Sequence, residues 1–387
     1  AFADLFQEPF RLFFPAATLA GLIGVLLWVP MLLGWTDNYP GVPHARLMVQ
    51  GFFGGFIFGF LGTSMPRLLE VPTLRAGEVL PLLGLFLANV VAQWFGVTVL
   101  GDVLFALEVA LWLAVLSGRA KARHDLPPPT FVLVGLAFGG ALMGTGLFLI
   151  GRRWELPPAL DLLARLLSYH AFVLLCVLGA GGFLLPRFLG LGPRQTFATA
   201  VTPTPEWRAA AWFAGMVGLS LIGSYVVEAF GWPRTAVSLR AALMVGWLWH
   251  ELPLERLRWS WHGVQWLLVV GLACLPLGVL ASGWLPGWRV ALSHVELLGG
   301  FGLITLGVAT RVVFGHSGQR AELERFHGPL TLAAAFMLLG LLNRLSGDLV
   351  PSTMVSHYLY AALCWAGGLL LWAARVLSKV LRPDPEA

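Results

Sequence analysis

The segment QGFFGGFIFGFLGTSMPRLL, residues 50–69, decides the class of fold. It carries no charge until Arg67, seventeen positions after Gln50. A helix needs about 20 mostly apolar residues to cross the hydrocarbon core of a bilayer. We therefore expect this segment to form a transmembrane helix.

The rest of the chain has the same character. Its 387 residues are 58% hydrophobic and only 12% charged, whereas a typical soluble domain has about 25% charged residues. A soluble protein of this size needs a polar surface that this composition cannot supply. The sequence therefore predicts an all-α polytopic membrane protein in a lipid bilayer, and it excludes soluble, fibrous and disordered classes.

Breaks at charged residues, prolines and glycines divide the chain into twelve candidate spans. The break between the third and fourth spans rests on Gly101 and Asp102 alone. No polar stretch is long enough for a separate soluble domain, so residues 1–387 are predicted to form a single integral membrane domain. The predicted spans are residues 12–34, 43–65, 79–98, 100–118, 130–151, 158–186, 207–230, 233–251, 263–283, 287–314, 326–345 and 353–377.

The basic residues of the loops predict the orientation of the chain. Roughly two thirds of the 25 Lys and Arg residues lie on the side that holds both termini, and positive charge marks the cytoplasmic side. Both termini are therefore predicted to be cytoplasmic. The net charge of +5 is too small and too dispersed to indicate a nucleic-acid partner.

Three even-numbered spans share an internal pattern. The sixth reads HAFVLLCVLGAGGFLLPRFL from His170 and the tenth reads HVELLGGFGLITLGVATRVV from His294. The offset is 120 residues from Gln50 to His170 and 124 from His170 to His294, which corresponds to four spans each time. In each span a polar residue precedes an arginine by seventeen positions; the pairs are Gln50 and Arg67, His170 and Arg187, and His294 and Arg311. The chain is therefore predicted to contain three four-helix units, residues 12–118, 130–251 and 263–377.

Four of the nine histidines are predicted to lie at one depth. His44, His170, His294 and His357 belong to even-numbered spans and fall in the half of the membrane opposite the termini. Polar groups at that depth are costly and usually functional. Neutral imidazoles on facing helices are good ligands for haem iron or copper. The alternative for each is a single buried histidine bonded to a neighbouring carbonyl, but four at one level favour a metal site.

A haem also requires groups that hold its propionates. Arg152, Arg153 and Arg289 are predicted at the outer face at a suitable level, although they could equally anchor helix ends among lipid headgroups. The glycine-rich stretches would let a flat macrocycle approach, but close helix packing is the favoured interpretation. The carboxylates inside or near the spans that could relay a proton are Glu108, Glu228 and Glu296.

The last quarter of the sequence resembles the NnrS family of bacterial membrane proteins. Residues 294–318, HVELLGGFGLITLGVATRVVFGHSG, are similar to the closing signature of that family, in which a glycine-rich helix leads to Thr-Arg and then Gly-His-Thr-Gly; Ser317 replaces the second Thr. Residues 9–17, PFRLFFPAA, resemble its Pro-Phe-Arg-Pro-Phe-Phe start. Residues 181–186 resemble its Gly-Gly-Arg-x-x-Pro element, with Phe183 in place of the arginine.

The second span departs from the family pattern. Where the family has His-Ala-His-Glu-Met, residues 44–48 read HARLM. His44 matches the first histidine, whereas Arg46 replaces the second. If the lost histidine is a ligand, the metal content of this chain could differ from that of typical members.

The resemblance implies a haem- and copper-containing protein of nitric oxide metabolism in the bacterial inner membrane. The expected cofactors are haem b and, in addition, copper or a second iron. A more distant likeness to the catalytic subunit of haem–copper oxidases and nitric oxide reductases implies that Gln50, preceded by Arg46, contacts the cofactor. The span-7 histidine pair that binds copper in those enzymes is absent from residues 207–230. The candidate metal ligands are His44, His170, His294, His357 and, from the closing signature, His316.

The expected function is the binding and reduction or detoxification of nitric oxide, in denitrification or in defence against nitrosative stress. Such an oxidoreductase would take electrons from a quinol or a redox protein. Two alternatives stay open. One is a secondary transporter without haem, although those folds usually show a two-fold repeat. The other is a haem protein that binds nitric oxide without turnover. A homo-oligomer is compatible with each of these functions.

Overall fold

The computed structural model describes residues 4–257, 264–324 and 328–382. These residues form twelve long helices joined by short connections, and no β-strand occurs among them. We number the long helices α1 to α12 in chain order. Their bounds are Phe10–Leu32, Gly41–Leu68, Ala76–Trp94, Thr98–Lys121, Pro129–Ile150, Pro158–Phe188, Pro205–Ala229, Pro233–Glu251, Gln265–Trp284, Pro286–Gly315, Gly328–Leu349 and Pro351–Lys379.

The predicted all-α membrane fold is confirmed. In the described parts of the chain, eleven helices are long and apolar enough to cross a membrane. The remaining helix, α8, has 19 residues but carries Arg234 and Arg240. It packs between α7 and α9, and Arg240 forms an ion pair with the buried Glu228 of α7. This pairing lets a less apolar helix lie at the same depth as its neighbours.

The predicted break between the third and fourth spans is wrong by about one turn. The chain turns at residues 95–97, where Gly96 has a φ of +73°, a conformation that costs glycine little. Gly101 and Asp102 instead lie inside α4. A charged residue indicates a loop only when it has no partner, and Asp102 pairs with Arg46 of α2.

The helices α2, α6 and α10 form the centre of the molecule. In their apolar windows 78%, 61% and 72% of the residues are buried, against 33–50% in the other candidate spans. The outer helices therefore cover the central three and present their remaining faces to lipid.

The two ends of the described chain meet on one face, which we call the terminal face. There Arg11 donates hydrogen bonds to the backbone oxygens of Val380 and Arg382. We call the opposite side the far face. That the terminal face is cytoplasmic stays a prediction.

Each central helix contains a π-helical segment in its far half. These segments are Leu47–Phe53 of α2, Leu167–Ala171 of α6 and Val295–Gly302 of α10. The first two include Gln50 and His170, and the third begins directly after His294. Such turns are rare and often mark functional sites. Their shared position supports the three-unit organisation, which itself stays a prediction.

Glycines bring the helices around this centre into close contact. A Cβ at Gly55 would lie 2.7 Å from the Cβ of Ala17 on α1, and a Cβ at Gly278 of α9 would lie 2.4 Å from the backbone nitrogen of Glu296. Real Cβ atoms are not found so close to other heavy atoms. These contacts agree with the interpretation of the glycines as helix-packing residues.

The Gly278→Ala variant is expected to destabilise the fold by about 1–3 kcal/mol, because the added methyl group meets backbone that cannot rotate away. Gly139→Ala on α5 is the control, because its Cβ would enter open space. Thermal unfolding of the purified protein in detergent measures both. Equal unfolding temperatures for Gly278→Ala and the wild type would contradict the packing described here.

Candidate functional site

The four far-half imidazoles occupy two neighbourhoods. His44 and His294 lie close enough for their charges to interact, and both are within electrostatic reach of Arg344 on α11. His357 of α12 contacts the same helix through the residue before Arg344. His170 of α6 instead contacts α10 through a carboxylate. Three of the predicted ligands therefore gather beside α11, and the fourth lies apart.

Each of these imidazoles directs its Nδ1 at a protein oxygen. The distances are 2.9 Å from His44 to the carbonyl of Gly24, 2.7 Å from His294 to the carbonyl of Val290, 2.8 Å from His170 to Oε2 of Glu296, and 2.9 Å from His357 to Oδ1 of Asn343. Carbonyl and carboxylate oxygens only accept hydrogen bonds, so Nδ1 donates in every case. In a neutral imidazole the proton is thereby assigned to Nδ1, and Nε2 carries the lone pair.

The Nε2 atoms of the four rings have no hydrogen-bond partner among the residues that the structure describes. Each ring is half-buried, neither sealed in the core nor fully exposed. Histidines that bind metals commonly donate their other ring N–H to a carbonyl or carboxylate, which fixes the tautomer. All four imidazoles are thus in the state that a metal ligand requires.

The donor set fits haem better than a bare metal ion. Within residues 4–257, 264–324 and 328–382, no three His, Cys, Asp or Glu side chains come close enough together to hold an ion. Non-haem iron usually takes three protein ligands and an open position. Haem supplies the equatorial nitrogens itself and needs only axial ligands from the protein.

His316 lies on the other side of the molecule from these four rings. It directly follows α10 at the terminal face, about 30 Å along the helix axis from His294 at 1.5 Å per residue. Its Nδ1 lies 2.7 Å from Oε1 of Glu8, and the guanidinium of Arg67 lies 2.9 Å from its Nε2. The structure does not bring it to the other candidate ligands, and its role as a ligand stays a prediction from the resemblance.

Glu8 is the centre of a charged cluster at the terminal face. It forms ion pairs with Arg11, Arg67 and His316, and so joins the two ends of the sequence that carry the resemblance. Burial alone would raise the pKa of Glu8. The hydrogen bond and charge of His316, together with Arg11 and Arg67, outweigh burial and lower the pKa from 4.5 to about 2.

Arg46 and Gln50 belong to a buried polar network. The guanidinium of Arg46 binds Asp102 of α4 through two hydrogen bonds of 2.9 Å, and Gln50 donates to the same carboxylate at 2.9 Å. The guanidinium also lies 3.9 Å from the ring centre of Phe148. The arginine that replaces the second family histidine therefore links α2 to α4, and a cofactor contact by either residue stays a prediction.

Arg289 is also paired within the protein. It forms an ion pair with Glu228, which binds Arg240 at 2.7 Å on its other oxygen. Arg152 and Arg153 are exposed beyond α5, and Arg152 donates to Thr98 at 3.1 Å. These last two arginines lie at the far face, as predicted.

Arg344 was not predicted as a site residue from the sequence. This arginine pairs with Asp348 at 2.9 Å and lies 4.4 Å from the ring centre of Tyr358. It is the cation within electrostatic reach of both His44 and His294. Its position inside the predicted span 326–345 was the available signal, since a charge within a span is costly.

Of the three predicted carboxylates, Glu296 alone contacts a candidate ligand. It follows His294 by two residues and points away from it, towards His170 of α6. Its Oε1 has no hydrogen-bond partner in the described chain. Glu228 is occupied by arginines, and Glu108 is fully buried without a hydrogen bond to any described residue.

A wide cleft opens on the terminal face among α5, α6, α7 and α8. Its volume is about 790 Å³, and Arg187, Glu206 and His250 contribute to its lining. None of the four far-half imidazoles lines it. This cleft is therefore separate from the candidate metal site.

The Glu8→Gln variant is expected to lose on the order of 1–3 kcal/mol of stability near neutral pH, because Arg11 and Arg67 lose a charged acceptor. The lowered pKa means that the carboxylate stabilises the fold fully above about pH 4.5 and loses this effect as the pH falls towards about 2. Unfolding curves of variant and wild type should therefore converge as the pH falls through this window.

The control for this comparison is Glu155→Gln, an exposed residue without an ion pair in the described chain. It should match the wild type at neutral pH. A difference between Glu8→Gln and the wild type that stays constant down to pH 2 would contradict the assignment.

The Asp102→Ala variant is expected to cost about 3–5 kcal/mol, because it leaves the buried Arg46 without a counter-ion. The exposed pair of Asp161 and Arg165 supplies the control, and Asp161→Ala should cost less than about 1 kcal/mol. Chemical unfolding in detergent measures both variants. Similar losses of stability for Asp102→Ala and Asp161→Ala would show that the ion pair between Arg46 and Asp102 is not buried.

Comparison with curated proteins gives no significant match. The family model described as NnrS protein matches residues 4–383, nearly the whole chain. The match includes the opening and closing elements that meet at Glu8 and all four far-half imidazoles. The chain therefore belongs to the NnrS family.

Proposed function

We propose that this protein holds a b-type haem in the far half of the membrane and uses it to bind and reduce nitric oxide. Family membership supports a membrane protein linked to nitric oxide in general. The haem, its ligands and the reduction are the proposal. The observation that carries it is the common state of the four far-half imidazoles, which donate from Nδ1 and leave Nε2 without a partner in the described chain.

His294 and His44 are the side chains that would hold the haem iron, and nitric oxide would have to take the place of one of them. They come from two different helices, α10 and α2, and lie within electrostatic reach of each other. Each ring is held by a backbone carbonyl of the preceding turn or the neighbouring helix, and neither carbonyl can titrate. The protein thus holds both rings in one orientation and, when they are neutral, in one tautomer before any cofactor enters.

Arg344 is the proposed partner for a haem propionate. Its charge reaches both proposed ligands, and its ion pair with Asp348 is partly exposed, whereas Arg46 and Arg289 pair with carboxylates that are almost fully buried. The side chain is kept in place by Asp348 and by the ring of Tyr358. An anionic group entering beside His44 and His294 would therefore meet a positioned cation.

Aromatic side chains exclude water from the centre of the three inner helices. Phe52 contacts Trp365 of α12 at 5.3 Å between ring centres, and Phe53 contacts Phe301 of α10 at 5.9 Å. Haem iron, when bound, supplies nitric oxide ligation and electron transfer. The dry aromatic surroundings strengthen every electrostatic interaction at such a site.

Reduction of nitric oxide consumes protons as well as electrons. The pair of His170 and Glu296 holds a proton between Nδ1 and Oε2 at a separation of 2.8 Å. Glu296 is almost fully buried, and its second oxygen is unbonded within the described residues. We propose this pair as a proton relay, in which Nε2 of His170 takes up a proton beside the Glu296 carboxylate and passes it on, with electrons supplied by a quinol or a redox protein.

Copper or a second iron stays a prediction from the resemblance. The described residues do not assemble three protein ligands for a bare ion. No step of the proposed function is therefore assigned to it.

The visible spectrum of the purified protein tests the haem proposal. The wild type is expected to show a Soret band, and His294→Ala and His44→Ala should each lower the haem content severalfold. His124→Ala is the control, because His124 is exposed at the terminal face and should leave the band unchanged. A colourless wild-type preparation after growth with haem supplied would refute the proposal.

Anaerobic addition of nitric oxide then separates binding from turnover. We expect a shift of the Soret band and, with a quinol donor, continuous consumption of nitric oxide. A shift of the Soret band without consumption of nitric oxide would show that the protein binds nitric oxide but does not reduce it. Flux of a solute in liposomes by haem-free protein would instead favour a transporter.

A further inference from the structure

An apolar cavity, open on one side, lies among the three central helices, in the half nearer the terminal face. Its volume is about 80 Å³. Apart from the Cys176 thiol and the Thr305 hydroxyl, the residues that line it carry only apolar side chains. They come mainly from α2, α6 and α10, with single contributions from α1 and α5.

The three central helices line the cavity with residues at corresponding positions. Phe60, Ala180 and Ile304 lie ten positions after the polar residue of the repeated pattern in their helices, which is Gln50, His170 and His294 respectively, and each lines the cavity. The residues that follow them, Leu61, Gly181 and Thr305, line it as well. The cavity is therefore a product of the way the three helices converge, not of one short side chain.

The size and chemistry of the cavity fit a small apolar molecule. A water molecule needs roughly 10–15 Å³ of such space and two to four polar partners, and apolar cavities stay dry. The space is thus large enough for more than one diatomic molecule, and its walls offer water little to bind. A cavity of this kind is also too small for a haem or a quinol.

The cavity reaches the level of the candidate site. Val173 lines it and lies three residues, about 4.5 Å along the helix axis, from His170. Phe56 lines it as well and is packed against Phe52 at 5.2 Å between ring centres. Val173 and Phe56 thus extend the apolar wall of the cavity towards the far half.

We propose that this cavity is a binding site for small apolar gases, through which nitric oxide reaches the far-half site. The identity of the gas rests on the proposed function, whereas the existence of the site rests on the cavity alone. The ligand class is a neutral diatomic molecule or a rare-gas atom. Binding there raises the local concentration of the gas beside the central helices.

Xenon tests the site without haem and without nitric oxide. The probe is xenon gas applied to the full-length protein in detergent, with binding followed by xenon NMR and located in xenon-pressurised crystals. We expect saturable binding among Phe60, Ala180 and Ile304. Absence of bound xenon at this position would overturn the proposal.

Two variants assign the binding to this cavity. Ala180→Phe fills it and should weaken xenon binding by about tenfold or more; Ala88→Phe, at an exposed position on α3, is the matched control and should bind as the wild type does. If Ala180→Phe fails to fold, Phe60→Ala decides instead, because the enlarged cavity should take up more xenon. Wild-type binding in both cavity variants would overturn the proposal.

A second readout links the cavity to nitric oxide. In haem-containing protein, rebinding of nitric oxide after flash photolysis should slow by about threefold or more in Ala180→Phe, since mutants of one interface typically change rates over one to three decades, with an unchanged Soret band. Unchanged rebinding would overturn the proposed route. If the purified protein contains no haem, the proposed function is refuted, but xenon binding still tests whether the cavity is a gas-binding site. Failure of the proposed function and failure of the cavity proposal can therefore be told apart.

Discussion

The absence of water from the bilayer core is the constraint on which this structure depends. A charge placed there must find a partner inside the protein, or it costs several kcal/mol. Arg46 is therefore bound to Asp102, and Arg240 to Glu228, on neighbouring helices. Each pair ties together two helices that apolar surfaces alone would not align, because lipid tails solvate those surfaces equally well.

The same constraint gives the four far-half imidazoles their common state. Inside the membrane each Nδ1 must donate to an oxygen of the protein, and the nearest oxygens belong to backbone carbonyls, an amide and a carboxylate. One ring nitrogen is thereby satisfied and the other keeps its lone pair. The π-helical segments of α2, α6 and α10 lie at this level. These imidazoles and the irregular backbone of the three central helices thus lie together in the far half. The half of the three central helices that lies nearer the terminal face lines an apolar cavity.

Much of the architecture follows from composition and periodicity. Eleven of the twelve predicted spans lie within a few residues of helices that could cross a membrane, because apolar length is a local property. The failure at Gly101 and Asp102 has a non-local cause. The partner of Asp102 is 56 positions away in the chain, and no local pattern shows that its charge is neutralised. For the same reason Arg46 and Arg289 look from the sequence like free cations for a cofactor, whereas each has a buried carboxylate as its partner.

The sequence by itself determined the class of fold, the positions of the helices and the depth of His44, His170, His294 and His357. These properties depend on hydrophobicity and on residue counts along one helix. Only the tertiary structure decided which side chains meet: Glu296 with His170, Arg344 near His44 and His294, and Glu8 with His316 at the opposite face. Such contacts depend on how helices distant in sequence rotate about their axes and pack, which glycines such as Gly55 and Gly278 permit at close range.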